Sequence, residues 1–172
     1  NLSTSGLGAV SITTPRNILL SSGGRITTVD GSLTLAANRQ AVPTAAAFNG
    51  IELNGGILIS ATGPINLSGR GGAVDGSSNL HGIVMTGTSP RITTTTGAIQ
   101  LNGVGGGIGT SHTNYGVLFS SVAVIQRTEG TSIIDGQGGN TTGSGANNHG
   151  VAFSSNVNFT GPTTITGRGG GG

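Results

Sequence analysis

The chain has 172 residues, of which 35 are glycine and only five are aromatic, and it contains neither cysteine nor tryptophan. Charged residues make up 7% of the chain, against roughly 25% in an ordinary soluble domain. All seven basic residues are arginine, and the formal net charge is +2. The lack of cysteine excludes a disulfide scaffold, and the scarcity of Lys, Glu and Met excludes a helical bundle. So small a net charge also excludes the dense basic surface that nucleic-acid binding needs.

A glycine opens each of five repeat units, spaced 31 to 34 residues apart, and such a period is typical of solenoids. The opening glycines are Gly31, Gly63, Gly97, Gly130 and Gly161. The complete units are residues 31–62, 63–96, 97–129 and 130–160; residues 8–30 form a short unit and residues 161–172 a partial one. We therefore interpret residues 1–172 as a single repetitive segment.

Each complete unit contains three short apolar runs in a fixed order. The first run leads into Gly-x-Gly-Gly in most units, as at residues 65–72. The second follows a polar residue and a glycine, and its first and third residues are apolar, as at residues 81–85. The third run precedes the next opening glycine, as at residues 91–96. Alternation of this kind places the apolar residues on the inner face of a strand.

The short unit, residues 8–30, has all three runs but lacks the segment between the first and the second. That segment is therefore a loop inserted at one corner of the later units. The inserted loops are residues 40–48, 73–80, 107–114 and 140–148. The pattern predicts an all-β fold: a parallel, right-handed β-solenoid (β-helix) with three short strands per rung and about five to six rungs. We expect glycine at the corners to supply positive φ and room for stacking, with Thr and Asn pointing outward.

The combination of Gly-x-Ile-x-Leu-x-Gly-x-Gly-Gly, a Gly/Ser/Asn loop and Asn-His-Gly-Val-x-Phe resembles the strand repeats of large bacterial exoproteins of the filamentous-haemagglutinin type. The resemblance covers residues 31–172, with residues 8–30 as a shortened unit. It implies a secreted protein of the bacterial cell surface, in which such repeats usually form the stalk of an adhesin. The resemblance concerns the repeat region alone.

Four residues at one repeat position form a candidate surface ladder. They are Asn49, His81, Tyr115 and His149. Two rungs of ~4.8 Å place the two histidines about 10 Å apart, whereas a zinc ion needs both ligand nitrogens at ~2.0–2.1 Å. We therefore expect a stacked polar and aromatic ladder rather than a metal site.

Arg70 and Arg168 share another repeat position and are a candidate docking site for acidic or sulfated cell-surface glycans. The five acidic residues, in contrast, fall at scattered repeat positions, so no pair of carboxylates is expected on adjacent rungs. We predict no catalytic residue, no metal and no cofactor, and hence no enzyme. The alternative is a carbohydrate-binding or polysaccharide-cleaving β-helix module.

The sequence ends within the Gly-x-Gly-Gly of its partial unit, and it has no lysine, a common gatekeeper of exposed strand edges. We therefore expect the partners to be other copies of the chain or further repeats, stacked end to end or side by side into a fibre. The longest apolar runs are far shorter than about 18 residues, so we expect no membrane insertion. The function expected from the sequence is a rigid, self-assembling structural segment of an extracellular surface protein.

Overall fold

The alternating apolar runs form seventeen short strands in a computed structural model, which describes residues 1–171. The strands build three parallel sheets. Sheet I contains β1 (Leu2–Ser3), β4 (Arg25–Thr28), β7 (Ile57–Ser60), β10 (Arg91–Thr94), β13 (Ala123–Arg127) and β16 (Val157–Thr160). Sheet II contains β2 (Val10–Thr14), β5 (Leu33–Ala37), β8 (Ile65–Arg70), β11 (Ile99–Val104), β14 (Ser132–Gln137) and β17 (Thr163–Arg168). Sheet III contains β3 (Ile18–Leu20), β6 (Ile51–Asn54), β9 (Ile83–Thr86), β12 (Val117–Phe119) and β15 (Val151–Phe153).

The chain passes from sheet II to sheet III to sheet I and then begins the next rung. Each strand pairs in parallel with the equivalent strand one rung away, as β8 does with β11, where Leu67 lies beside Leu101. The predicted fold, a right-handed parallel β-solenoid with three strands per rung, is confirmed. Each complete predicted unit carries three strands, and β17 lies in the partial unit 161–172, whose last residue, Gly172, is outside the described residues.

Inward-facing residues of equivalent strands stack into apolar columns that run along the solenoid. The central column of sheet II is Leu35, Leu67, Leu101 and Ile134, all at most 1% exposed. No single rung encloses an apolar interior, so each column is buried only because rungs stack on both sides of it. At about 25 cal/mol per Å² of buried apolar surface, these columns are the main source of stability.

The corner between sheets I and II depends on glycine because successive rungs approach very closely there. A Cβ atom at Gly63 would collide with the carbonyl oxygen of Gly31, and one at Gly97 with that of Gly63. Positive φ, which we expected at the corners, occurs at Gly130 (φ 83°) and Gly161 (φ 96°) but not at Gly31, Gly63 or Gly97. At these three corners the missing side chain, rather than the left-handed backbone, is what the fold requires.

Several polar residues face inward, so the expectation that Thr and Asn point outward is wrong for them. One buried column in sheet I is Thr28, Ser60, Thr94 and Arg127. Thr28 donates to Ser60 Oγ (3.0 Å), and Ser60 donates to the carbonyl oxygen of Val29 (3.2 Å). Arg127 donates through Nη1 and Nη2 to the carbonyl oxygens of Thr131 and Thr96. These bonds supply partners to Thr28, to Ser60 and to both Nη atoms of Arg127, whereas its Nε is buried with no hydrogen-bond partner within the described residues.

The amino-terminal residues add a strand that the repeat pattern did not predict. Leu2 and Ser3 form β1, which pairs with Ile26 and Thr27 of β4 and so extends sheet I by one strand. No helix within residues 1–171 is long and apolar enough to cross a membrane.

Candidate functional site

The predicted ladder is brought together at the end of the inserted loops, just before sheet III. The rings of His81 and Tyr115 stack with centroids 5.0 Å apart and an interplanar angle of 14°. Tyr115 and His149 stack at 5.4 Å and 19°. The two histidines thus flank the tyrosine and do not converge on a common point.

Hydrogen bonds hold the ladder in register with the strands. The backbone N–H of His81 donates to Asn49 Oδ1 (2.9 Å), and the N–H of Tyr115 donates to His81 Nδ1 (3.1 Å). The glycine that follows each ladder residue donates its backbone N–H to the carbonyl oxygen of the ladder residue on the next rung. These hydrogen bonds join Gly50 to His81, Gly82 to Tyr115 and Gly116 to His149. Asn49 also donates through Nδ2 to Glu52 Oε2 (3.0 Å). Each ladder residue therefore aligns the next rung.

His81 is the buried member of the ladder and has a strongly shifted pKa. Its side chain is buried, and this burial lowers the pKa of His81 to about 4. The Nδ1 atom accepts a hydrogen bond, so it carries no proton. His81 is consequently a neutral structural residue in the folded chain at neutral pH.

The ladder offers little surface to a ligand, because its rings cover one another. Aromatic residues bind sugars and bases mainly through their faces, and both faces of Tyr115 are occupied by histidine rings. His149, at the last rung of the ladder, is exposed. The geometry thus favours alignment of rungs over ligand binding.

A second column of buried amides lies beside the ladder, and the repeat analysis did not identify it. Asn114 and Asn148 occupy the position before the ladder residue and are 0% and 5% exposed. Asn114 Oδ1 accepts from the N–H of Leu80 (2.9 Å), and Asn148 Oδ1 accepts from the N–H of Asn114 (3.0 Å). The alignment of Asn114 with Asn148 was visible in the sequence, but asparagine is so common here that the signal did not stand out.

Arg70 and Arg168 lie in one column on the outer face of sheet II, separated by several rungs as their repeat positions predict. Strand register puts Val104 and Gln137 between them on the two intervening rungs. Arg168 Nη1 lies 3.7 Å from Asp135 Oδ1. The Arg168 side chain is 65% exposed and that of Asp135 is 37% exposed, so solvent screens this ion pair and it contributes little stability.

A third arginine, which sequence reasoning did not include, lines the same surface. Arg39, at the corner that follows β5, borders a cleft of about 210 Å³ together with Asn102, Asp135, Gln137 and Arg168. A neighbouring cleft of about 290 Å³ is bordered by Arg70 and shares Val104 and Gln137 with the first. Burial, and then the positive charge of Arg70, lower the pKa of Arg39 below its usual range.

The acidic side chains form no metal-binding group in the described part of the chain. Residues 1–171 contain no cluster of three or more His, Asp or Glu that could hold a metal ion. Asp75 lies on a corner loop, where hydrogen bonds from the backbone N–H and side chain of Thr110 lower its pKa.

The last rung exposes apolar side chains that are buried one rung earlier. Phe119 is 0% exposed and Phe153, stacked on it at 5.1 Å, is 48% exposed. Ile134 is 0% exposed and its neighbour Ile165 is 42% exposed. Phe159 packs edge-on against both phenylalanine rings. Within residues 1–171 nothing covers the interior columns beyond these side chains, which we call the carboxyl end face (Val151, Phe153, Val157, Phe159 and Ile165).

Comparison with protein-family models, with curated proteins and with solved structures found no match to this chain.

Proposed function

We propose that this chain is a structural and adhesive repeat segment of an extracellular bacterial surface protein or fibre. It forms a rigid stalk that stacks end to end on further rungs, supplied by the same chain or by other copies. The resemblance of its repeats to those of filamentous-haemagglutinin-type exoproteins supports the extracellular placement. The stacking is supported by the carboxyl end face.

The contrast between Phe119 and Phe153 is the observation that carries this proposal. The two rings occupy one column, yet the first is fully buried and the second is about half exposed. The last strands of the three sheets, β15, β16 and β17, are each paired on one side only within the described residues. A rung of the same three-sided cross-section would cover the apolar columns and pair all three strand edges at once.

The proposal predicts that the 172-residue chain associates end to end in a concentration-dependent manner. Sedimentation velocity should show assemblies that grow with concentration, and electron microscopy should show unbranched rods. Diffraction from aligned rods should give an axial repeat of ~4.8 Å, the spacing of hydrogen-bonded strands.

A matched test introduces the same charge at each of two exposed apolar residues, one on the carboxyl end face and one away from it. Phe153→Glu introduces a charge on the carboxyl end face, whereas Ile133→Glu introduces it on the outer side of sheet II, where Ile133 is 41% exposed. We expect F153E to abolish the assemblies and I133E to leave them unchanged. A wild-type chain that stays monomeric at all concentrations, or equal effects of the two substitutions, would contradict end-to-end stacking.

We also propose that the chain breaks no covalent bond in carbohydrate. The alternative, a polysaccharide-cleaving module, predicts new reducing ends after incubation with acidic polysaccharides. An assay of reducing ends distinguishes the non-cleaving chain from the cleaving module. New reducing ends that increase with protein concentration would establish cleavage. The alternative also includes a module that binds carbohydrate without cleaving it, and the arginines on the outer face of sheet II favour such binding.

A further inference from the structure

Three of the seven arginines surround one shallow groove on the outer face of sheet II. We define the arginine groove by Arg39, Arg70, Val104, Gln137 and Arg168. Arg70, Val104, Gln137 and Arg168 are register partners on four successive rungs, and Arg39 lies on the rung before them. The two clefts that border this column share Val104 and Gln137 as their common floor.

The positive charge in the groove is only partly neutralised. In the described part of the chain, Arg168 is the one arginine with a carboxylate oxygen within 4.0 Å, that of Asp135. Asp135 Oδ1 is itself buried and accepts no hydrogen bond within the described residues. Arg39 and Arg70 repel each other, and this repulsion contributes to the lowered pKa of Arg39. An anion bound between them would relieve that repulsion and supply oxygen acceptors to both guanidinium groups.

The dimensions and lining of the groove select the shape of the anion. From the rung of Arg39 to that of Arg168 there are four steps of ~4.8 Å, or about 19 Å along the axis. The side chains of Arg39 and Arg168 border one cleft along this distance and Arg70 borders the adjoining cleft, so a ligand that contacts all three arginines lies across both clefts and carries several negative charges. Between the arginines the surface offers the amides of Asn102 and Gln137, which pair well with hydroxyl groups.

Nucleic acid fits this surface less well than polysaccharide. Binding of single strands relies on aromatic side chains on which the bases stack, and no residue that borders the two clefts is aromatic. The groove is open and crosses successive rungs of sheet II, which suits a linear chain that runs parallel to the solenoid axis.

We propose that the arginine groove binds a linear acidic polysaccharide, which lies along the solenoid axis with its carboxylate or sulfate groups on Arg39, Arg70 and Arg168. The ligand hydroxyls face Asn102 and Gln137. This binding uses the side of the solenoid, so it is independent of the stacking of end faces proposed above.

Titration calorimetry on the full chain tests the proposal with three probes of similar length. These are an oligogalacturonate, which carries carboxylates, a heparin-derived oligosaccharide, which carries sulfates, and an uncharged dextran oligosaccharide. We expect at least one of the two anionic probes to bind, with an affinity that falls as salt rises, and dextran not to bind. The anionic probe that binds more tightly identifies the group that the arginines prefer.

Variants connect the binding to these residues. The double variant Arg39→Gln/Arg70→Gln should weaken the affinity at least about tenfold, because it removes two charge-assisted contacts. Asp135→Asn should strengthen it about threefold, since it removes the carboxylate that competes for Arg168. A gain of affinity cannot arise from misfolding. Arg91→Gln, on the outer face of sheet I, is the matched control and should leave the affinity unchanged.

The proposal fails if neither anionic probe binds, or if dextran binds as tightly as they do. It also fails if Arg91→Gln weakens binding as much as the double variant while circular dichroism shows all variants folded. Tighter binding of a single-stranded oligodeoxynucleotide than of either acidic oligosaccharide would assign the groove to nucleic acid instead.

Discussion

His81 shows how one side chain can serve the alignment of rungs and also make that alignment sensitive to acid. Its ring is stacked on the ring of Tyr115, and its Nδ1 accepts a hydrogen bond from the backbone N–H of Tyr115. Protonation at Nδ1 would replace this acceptor by a donor and place a charge in a buried position. The ladder is therefore built around the neutral imidazole.

We predict that acid destabilises the fold through His81. The folded-state pKa of about 4 lies below the usual 6.5, so the stabilisation is complete above pH 6.5 and is lost as the pH falls towards 4. Between pH 7 and pH 5 the free energy of unfolding should fall by about 2 kcal/mol from this residue alone. Urea denaturation followed by circular dichroism at a series of pH values measures the change.

The variant His81→Asn separates this effect from other sources of acid sensitivity. Asparagine occupies the same ladder position at Asn49, where its Oδ1 accepts the N–H of the next rung. His81→Asn should retain the hydrogen bond to Tyr115 and remove the loss of stability assigned to His81. An equal acid-induced loss in wild type and variant would show that His81 is not responsible.

At the scale of the element, the inserted loops are held to one another by asparagine side chains as well as by backbone hydrogen bonds, such as that from the N–H of Ser144 to the carbonyl oxygen of Gly109 (2.9 Å). Asn114 and Asn148 take the place that a sheet partner would otherwise fill, since each accepts a backbone N–H from the rung before it. Asn38 acts similarly at an earlier corner, where its Nδ2 donates to the carbonyl oxygens of Arg70 and Gly71. Buried amides thus continue the hydrogen-bond ladder across the corner.

We predict that Asn114→Ala lowers the free energy of unfolding by about 1–3 kcal/mol, the usual cost of a buried group that loses its partner. The N–H of Leu80 would then have no acceptor from this side chain. Asn102→Ala is the control, because Asn102 is exposed on sheet II, and it should change stability by no more than about 0.5 kcal/mol. Chemical denaturation of the two variants provides the comparison; equal losses would argue against the role of the loop ladder.

The strands themselves were largely predictable from the sequence, whereas the loop contacts were not. The column from Leu35 to Ile134 follows from the period of the repeat, because equivalent positions must stack once the units are in register. Side chains in the loops, such as that of Asn114, do not alternate between two faces as strand side chains do. Their direction depends on the backbone conformation of the corner.

For the whole molecule, stability should be graded along the axis. Middle rungs have neighbours on both sides, while the last described rungs have one, and the exposure of Phe153 and Ile165 reflects this difference. In a stack where each rung contacts only its neighbours, opening begins where neighbours are missing. Within residues 1–171 we therefore expect local opening to begin at the terminal rungs.

We predict that hydrogen exchange follows this gradient when the chain is monomeric. Amides of β15–β17 should exchange faster than those of β8–β11, which have paired strands on both sides. Mass-spectrometric exchange under dilute conditions measures the difference, and assembly should reduce it if the carboxyl end face becomes covered. Uniform protection along the chain would contradict the graded stack.

The sequence by itself determined the solenoid, the three strands per rung, the corner at which loops are inserted and the shared columns of Asn49, His81, Tyr115 and His149. This information lies in the repeat period and in the alternation of apolar residues, because the same short pattern recurs in each unit and aligns when the rungs stack. The tertiary structure decided which polar residues turn inward, such as Arg127, and that Arg39 lies beside the column of Arg70 and Arg168. These placements depend on corner geometry and on the reach of long side chains across several rungs, and neither is periodic in the sequence.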